Sequence, residues 1–202
     1  MNKRRIRGVV FDMDGVIIDS HPAHRRAWKQ FLQSVGMEAS DGELEFILDG
    51  HKREEILRHF LGDLSAEQVR DYGNRKDEML RRLGNGVHPI DGVVDFLLAL
   101  RKAGLKTALA TSAGRTRTLG TLSELGIAQC FDTIVTGDEV PVGKPDPCIY
   151  RVAAERLREN PEELVAFEDA ASGVKAATGA GLHCIGVAPP SHADRLRAAG
   201  AA

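Results

Sequence analysis

Short apolar runs that each break off at polar residues or glycine constrain this chain most tightly. The first is Gly8-Val9-Val10-Phe11, which stops at Asp12, and similar runs occupy 105–110, 133–136, 164–167 and 183–187. Continuous apolarity over a few β-branched residues belongs to strands buried on both faces, as in a parallel sheet. Helical periodicity fills the gaps at 91–103, 115–125, 147–157 and 172–180, with Gly104, Gly126 and Gly181 placed as left-handed caps. Strand and helix in alternation imply an α/β fold, a Rossmann-like parallel sheet with right-handed crossovers.

One stretch departs from this rhythm. Residues 20–87 read as helices without a strand. Pro22 opens a helix running to Val35, residues 53–61 form a second, and a Ser65-Ala66-Glu67-Gln68 capping box starts a third that closes at Gly84-Asn85-Gly86. The expected organisation is therefore a catalytic core of 1–19 and 88–202, interrupted by a helical cap of 20–87. A chain of 202 residues is long enough for both units.

Composition narrows the partners. Lys and Arg number 27 against 29 Asp and Glu, a net charge of −2, which lacks the basic excess of a general nucleic-acid binder. The basic lead-in Lys3-Arg4-Arg5 runs directly into the first apolar run and reads as a solvated segment. No long apolar run suggests a membrane span. Cys130, Cys148 and Cys184 are odd in number and without CxxC spacing, so neither a disulfide framework nor a zinc site is expected, and the reading is a monomer in a reducing cytoplasm.

The chemistry lies where the strands end. Asp12-Met13-Asp14-Gly15 follows the first, Thr111-Ser112-Ala113-Gly114 the second, and Glu168-Asp169 the fourth. Open α/β sheets bind ligands beyond the carboxyl ends of their strands, so these clusters should converge. Two carboxylates beside a buried strand are costly unless compensated, and a hard divalent cation compensates them. Glu168-Asp169 by itself could equally cap a helix, and Thr111-Ser112 could cap one or bind phosphate. Lys144, between Gly143 and Pro145-Asp146-Pro147, sits on a stiff loop; a lone loop lysine is commonly solvated, whereas here it would face acids and a phosphate.

Together, Asp12-Met13-Asp14-Gly15-Val16, Thr111-Ser112, Gly143-Lys144-Pro145-Asp146-Pro147 and Glu168-Asp169-Ala170-Ala171-Ser172-Gly173 resemble the haloacid dehalogenase superfamily. Within it, the chain is similar to the subgroup with a helical cap after the first strand, which includes β-phosphoglucomutase and sugar-phosphate phosphatases. The resemblance implies a nucleophilic Asp12, an acid–base Asp14, and Mg²⁺ held by Asp12, the Asp14 backbone carbonyl and Asp169, with Glu168 in an outer role. Thr111, Ser112 and Lys144 would bind the phosphoryl group. In the cap, Arg53 would take a distal phosphate, and His24 with Lys76 would adjust Asp14. Asp77 stands where the mutase usually has Asn, and Gly114-Arg115 where it has Lys-Asn. The first expectation is a Mg²⁺-dependent phosphatase of a small phosphorylated metabolite, the second a β-phosphoglucomutase. A third, a phospho-accepting signalling module, conflicts with the helical insert.

Overall fold

A computed structural model describes residues 5–83 and 88–202. The first strand, β1 (Gly8–Phe11), leads to a short β2 (Ile18–Asp19) and then to α1 (His21–Ser34), α2 (Asp41–Ile47), α3 (Arg53–Leu61) and α4 (Ala66–Arg82). The chain returns through β3 (His88–Pro89), α5 (Val93–Lys102), β4 (Lys106–Thr111), α6 (Arg115–Glu124), β5 (Thr133–Thr136) and α7 (Cys148–Leu157). It closes with β6 (Leu164–Glu168), α8 (Ala171–Gly179), β7 (His183–Gly186) and α9 (Pro190–Ala199).

The main sheet is parallel, in the order β5-β4-β1-β6-β7. β1 is therefore central, and the strand order reverses around it, which puts a ligand crevice at its carboxyl end. Alternation along β1 sends Val10 into a cluster with Ala108, Ala166 and Tyr150, while Val9 and Phe11 enter another with Leu97, Leu109 and Leu122. Both faces are covered, which explains why the strands are apolar throughout rather than alternating.

Helices α1–α4 enclose their own apolar cluster, built on Trp28, Phe31, Leu32, Leu44 and Leu57. The Ser65 box is present: Ser65 Oγ accepts from Gln68 N at 3.2 Å and Gln68 Oε1 accepts from Ser65 N at 2.9 Å. The expected close of that helix at Gly84-Asn85-Gly86 lies outside the described residues, as do Lys3 and Arg4 of the lead-in.

Some elements differ from the sequence expectation. α2 was not anticipated, although Ser40 and Glu43 form a second capping box. α9 was also unanticipated. β2 and β3 pair antiparallel where the chain leaves and rejoins the core, Ile18 against Pro89 and Asp19 against His88. Two residues are too few to carry a period. The second core strand extends one residue further than expected because Thr111 pairs with Thr136. The three cysteines are free, and no helix among the described residues is long and apolar enough to cross a membrane.

Candidate active site

β4, β1 and β6 are adjacent, so Thr111, Asp12 and the pair Glu168-Asp169 emerge side by side. Asp12, Glu168 and Asp169 each bring a carboxylate oxygen within 4.8 Å of the others. Lys144, on the loop between β5 and α7, enters this cluster from the side. Its ammonium donates to Asp12 Oδ1 and Glu168 Oε1, both at 2.6 Å, and to the Ala110 carbonyl at 3.1 Å. The side chain is 1% exposed. Glu168 Oε1 also accepts the Tyr150 hydroxyl at 2.5 Å, so this oxygen is committed to protein partners. Asp169 Oδ2 meets His21 Nε2 at 3.0 Å.

These groups strain each other electrostatically. Burial, reinforced by Glu168 and Asp169, pushes Asp12 well above the usual carboxylate range despite the opposing Lys144. Burial likewise lifts Asp169 to about 6, with Glu168 adding and His21 opposing. Burial alone would weaken the Lys144 charge, but Asp12 and Glu168 outweigh it and raise its pKa. The hydrogen bond to Asp169 raises His21. Three carboxylates thus gather here, two on the Lys144 ammonium and the third, Asp169, on His21. An all-oxygen, excess-negative donor set of this kind fits a hard divalent cation.

Two glycines make the arrangement possible. A Cβ on Gly173 would collide with the Glu168 carboxylate, and one on Gly15, at φ +78°, would collide with Asp169 Oδ2. The left-handed backbone at Gly15 is also disfavoured for other residues. The two motif glycines therefore leave room for the acids.

Asp14 occupies a different environment, towards the helical unit. Arg117, from the first turn of α6, forks onto it: Nη1 to Oδ2 at 2.8 Å and Nη2 to Oδ1 at 2.5 Å. Ser20 Oγ donates to the same Oδ1. Burial would raise the Asp14 pKa, but Arg117 overrides it and holds the carboxyl well below the usual range. His24 Nε2 lies 3.6 Å from Asp14 Oδ1, buried and without a hydrogen-bond partner among the described residues. His24 Nδ1 is 3.3 Å from Lys76 Nζ. Burial, then Lys76, keep His24 well below its ordinary value; burial draws Lys76 down to about 8. Asp77 bridges the cap cations, with Oδ2 2.8 Å from Arg53 Nη1 and Oδ1 3.2 Å from Lys76 Nζ.

The loop before α3 is tied to the core at several points. Ser112 Oγ donates to the Gly50 carbonyl at 2.6 Å, Ser172 Oγ to the Asp49 carbonyl, and Lys52 Nζ to the Val140 carbonyl at 2.5 Å. Arg195 of α9 pairs with the Asp49 carboxylate at 2.7 Å. Ser112, expected at a phosphate, is thus directed to the cap loop, while buried Thr111 Oγ1 accepts from Ala113 N at 3.2 Å. A cavity of about 340 Å³ remains between the two units, lined by Asp12, Asp14, His24, Arg53, Lys76 and Arg117. That size suits a small metabolite. All the sequence-derived candidates line this cavity except Lys144, which sits beneath it in contact with Asp12.

Arg117, His21, Ser20 and Tyr150 were missed by sequence reasoning. Arg117 had a signal: α6 begins Arg115-Thr116-Arg117 with no acid in its first turn. Cations oppose the helix dipole there, so their presence calls for an external anion.

A family model for haloacid dehalogenase-like hydrolases matches residues 6–181. Hexitol phosphatase A of Escherichia coli (strain K12) is 33% identical over 196 residues, covering 95% of this chain and 88% of that protein. β-Phosphoglucomutase of Bacillus subtilis (strain 168) is 31% identical over 191 residues, covering 90% and 83%. Among solved structures, CbbY from Rhodobacter sphaeroides in complex with xylulose-(1,5)-bisphosphate superimposes with a TM-score of 0.77 at 30% identity, covering 89% of this chain and 85% of that one. With its acids gathered at the carboxyl end of β1 under a helical insert, the chain belongs to the haloacid dehalogenase-like hydrolases, as a phosphatase or phosphomutase.

Proposed function

We propose that this protein is a Mg²⁺-dependent phosphatase that hydrolyses a small sugar or polyol monophosphate through an aspartyl-phosphate on Asp12. The observation that carries the reading is the buried cluster of Asp12, Glu168 and Asp169 around Lys144, opening into a metabolite-sized cavity. An Asp12 oxygen attacks phosphorus, the ester P–O bond breaks, and Asp14 supplies the proton that the departing alkoxide takes. Water then attacks phosphorus, the P–O bond to Asp12 breaks, and Asp14 takes the water proton. Splitting the transfer in two lowers each barrier. Lys144 fixes the Asp12 carboxylate and places positive charge beside the phosphoryl oxygens, which the Thr111 end of β4 also faces. A magnesium ion held by Asp12, Asp169 and the Asp14 backbone carbonyl, with Glu168 behind, would supply charge neutralisation on the transferring phosphoryl group.

The competing reading is a phosphomutase, for which His24, Arg53 and Lys76 line the cavity as in the resemblance noted above. Asp77 weighs against it, because both cap cations are already paired to its carboxylate. A mutase must hold a second phosphate in that region, whereas a phosphatase needs only to hold hydroxyls.

The test is incubation with Mg²⁺ and a panel of sugar and polyol phosphates, following both free phosphate and glucose 6-phosphate formed from β-glucose 1-phosphate. Phosphate release abolished by Asp12→Asn is expected. Isomer formation without phosphate release would instead support the mutase, and no turnover of any phosphoester would refute both.

A further inference from the structure

Asp14 is held from two sides. Ser20 and His24 approach it from the start of the helical insert, and Arg117 approaches it from the core. Among the described residues only Arg117 engages both carboxylate oxygens, across a separation of 103 residues. A guanidinium fork constrains a carboxylate in distance and in plane, which a single donor cannot do. The Arg117 side chain is 17% exposed and lines the same cavity as Asp12 and Asp14. It also projects from the first turn of α6, which follows β4, the strand beside β1, so its position is set by the core rather than by the insert.

Resting on the phosphatase reading above, we infer that Arg117 is a positioning residue for the second half-reaction, aiming the Asp14 carboxylate at the water that hydrolyses the aspartyl-phosphate. In that step the water oxygen bonds to phosphorus and the P–O bond to Asp12 breaks, returning its electron pair to the Asp12 carboxylate. The proton of the water passes to Asp14. The group that accepts it is an anion, the state an arginine fork holds. With a leaving group that needs no proton, Asp14 acts only in the second step, so the Arg117 fork bears on phosphoenzyme hydrolysis and not on its formation.

p-Nitrophenyl phosphate separates the two steps, because p-nitrophenolate leaves without needing a proton. For this substrate kcat/KM reports phosphoenzyme formation, while kcat includes its hydrolysis. With Mg²⁺ present, Arg117→Met should lower kcat by about tenfold or more, leave kcat/KM within about twofold, and produce a burst of one p-nitrophenol per enzyme. Arg117→Lys keeps the charge but not the fork; it should recover only part of kcat and remains informative if the Met variant folds poorly. Parallel loss of kcat and kcat/KM would overturn the inference by making Arg117 a general structural support. A raised KM at unchanged kcat would overturn it by making Arg117 a substrate anchor, and unchanged kinetics would remove any role. A wild-type protein that releases no p-nitrophenol would refute the phosphatase reading itself, and the inference with it.

Discussion

Lys144→Met tests the electrostatic core of the site. The wild-type ammonium touches Asp12 and Glu168 at 2.6 Å each and is 1% exposed, so methionine of similar length would leave both carboxylates without their cation. Breaking a buried ion pair from one side costs about 3–5 kcal/mol. A protein of this size has roughly 5–15 kcal/mol of stability and loses about 2–4 °C in Tm per kcal/mol, so a fall of about 6–20 °C is expected. The measurement is thermal unfolding by circular dichroism near neutral pH in a chelator. The sign of the pH dependence follows from the direction of each shift. Lys144 has a folded pKa raised above its unfolded value, so its stabilisation is complete below about pH 10.4 and is lost as pH rises through the folded value. Asp12 is raised too, and further without Lys144, so the deficit of the variant should shrink in acid as the carboxylates protonate. A variant melting within about 2 °C of wild type at neutral pH would refute the reasoning, as this corresponds to less than about 1 kcal/mol.

Other perturbations address separate parts of the site. Saturating Mg²⁺ at about a hundred times its Kd should add about 2.7 kcal/mol, or roughly 5–11 °C in Tm, seen in the same melts; no shift would argue against the cation site. Gly173→Ala should reduce turnover by about tenfold or more, because its Cβ meets a Glu168 carboxylate fixed by Lys144 and Tyr150, and near-normal activity would contradict that packing. Lys76 loses its charge near pH 8, so KM for a sugar phosphate should rise above that pH in wild type and stay flat in Lys76→Met, as read from initial rates across the pH range. Asp77→Asn should tighten competitive inhibition by a sugar bisphosphate by roughly tenfold relative to a monophosphate, since it frees Arg53 and Lys76 at a partly exposed site.

The parts of the fold legible in the sequence are those with a local signature. Gly8–Phe11 is buried throughout, and a run buried on both faces has to be apolar at every position. The helix over Arg53–Leu61 is bounded as its periodicity predicts. α2 was overlooked although the Ser40-x-x-Glu43 box was readable, because a seven-residue helix offers few apolar positions. The acids of the site were legible because a charge abutting a buried strand must be explained. Their partners were harder to foresee. Lys144, 132 residues from Asp12, is the exception, since its stiff loop and the resemblance already place it among the acids. Tyr150 reads as an ordinary core aromatic until its hydroxyl is found on Glu168. Arg117 belongs to the same class, a long side chain whose meaning lies in a carboxylate 103 residues away.

The cavity is polarised along its length, and this bears on hydrolysis against transfer. At the core end the carboxylates of Asp12, Glu168 and Asp169 outnumber Lys144 and the His21 that pairs with Asp169, an excess that a divalent cation offsets. At the opposite end Arg117 is matched by Asp14, while Arg53 and Lys76 share the single carboxylate of Asp77. A ligand carrying charge at one end only, a phosphate on the acidic floor and neutral hydroxyls above, disturbs neither arrangement. A ligand charged at both ends would have to break the Asp77 pairs, and the Asp77 carboxylate would then face the second phosphate. The same local pairing that ties Arg53 and Lys76 to one carboxylate weakens their pull on a second phosphate and leaves their remaining donors free to meet hydroxyls. On the proposed phosphatase reading, selection for a monophosphate would rest on the counter-ion of the cap cations rather than on the cations themselves, with Asp77 as the deciding residue.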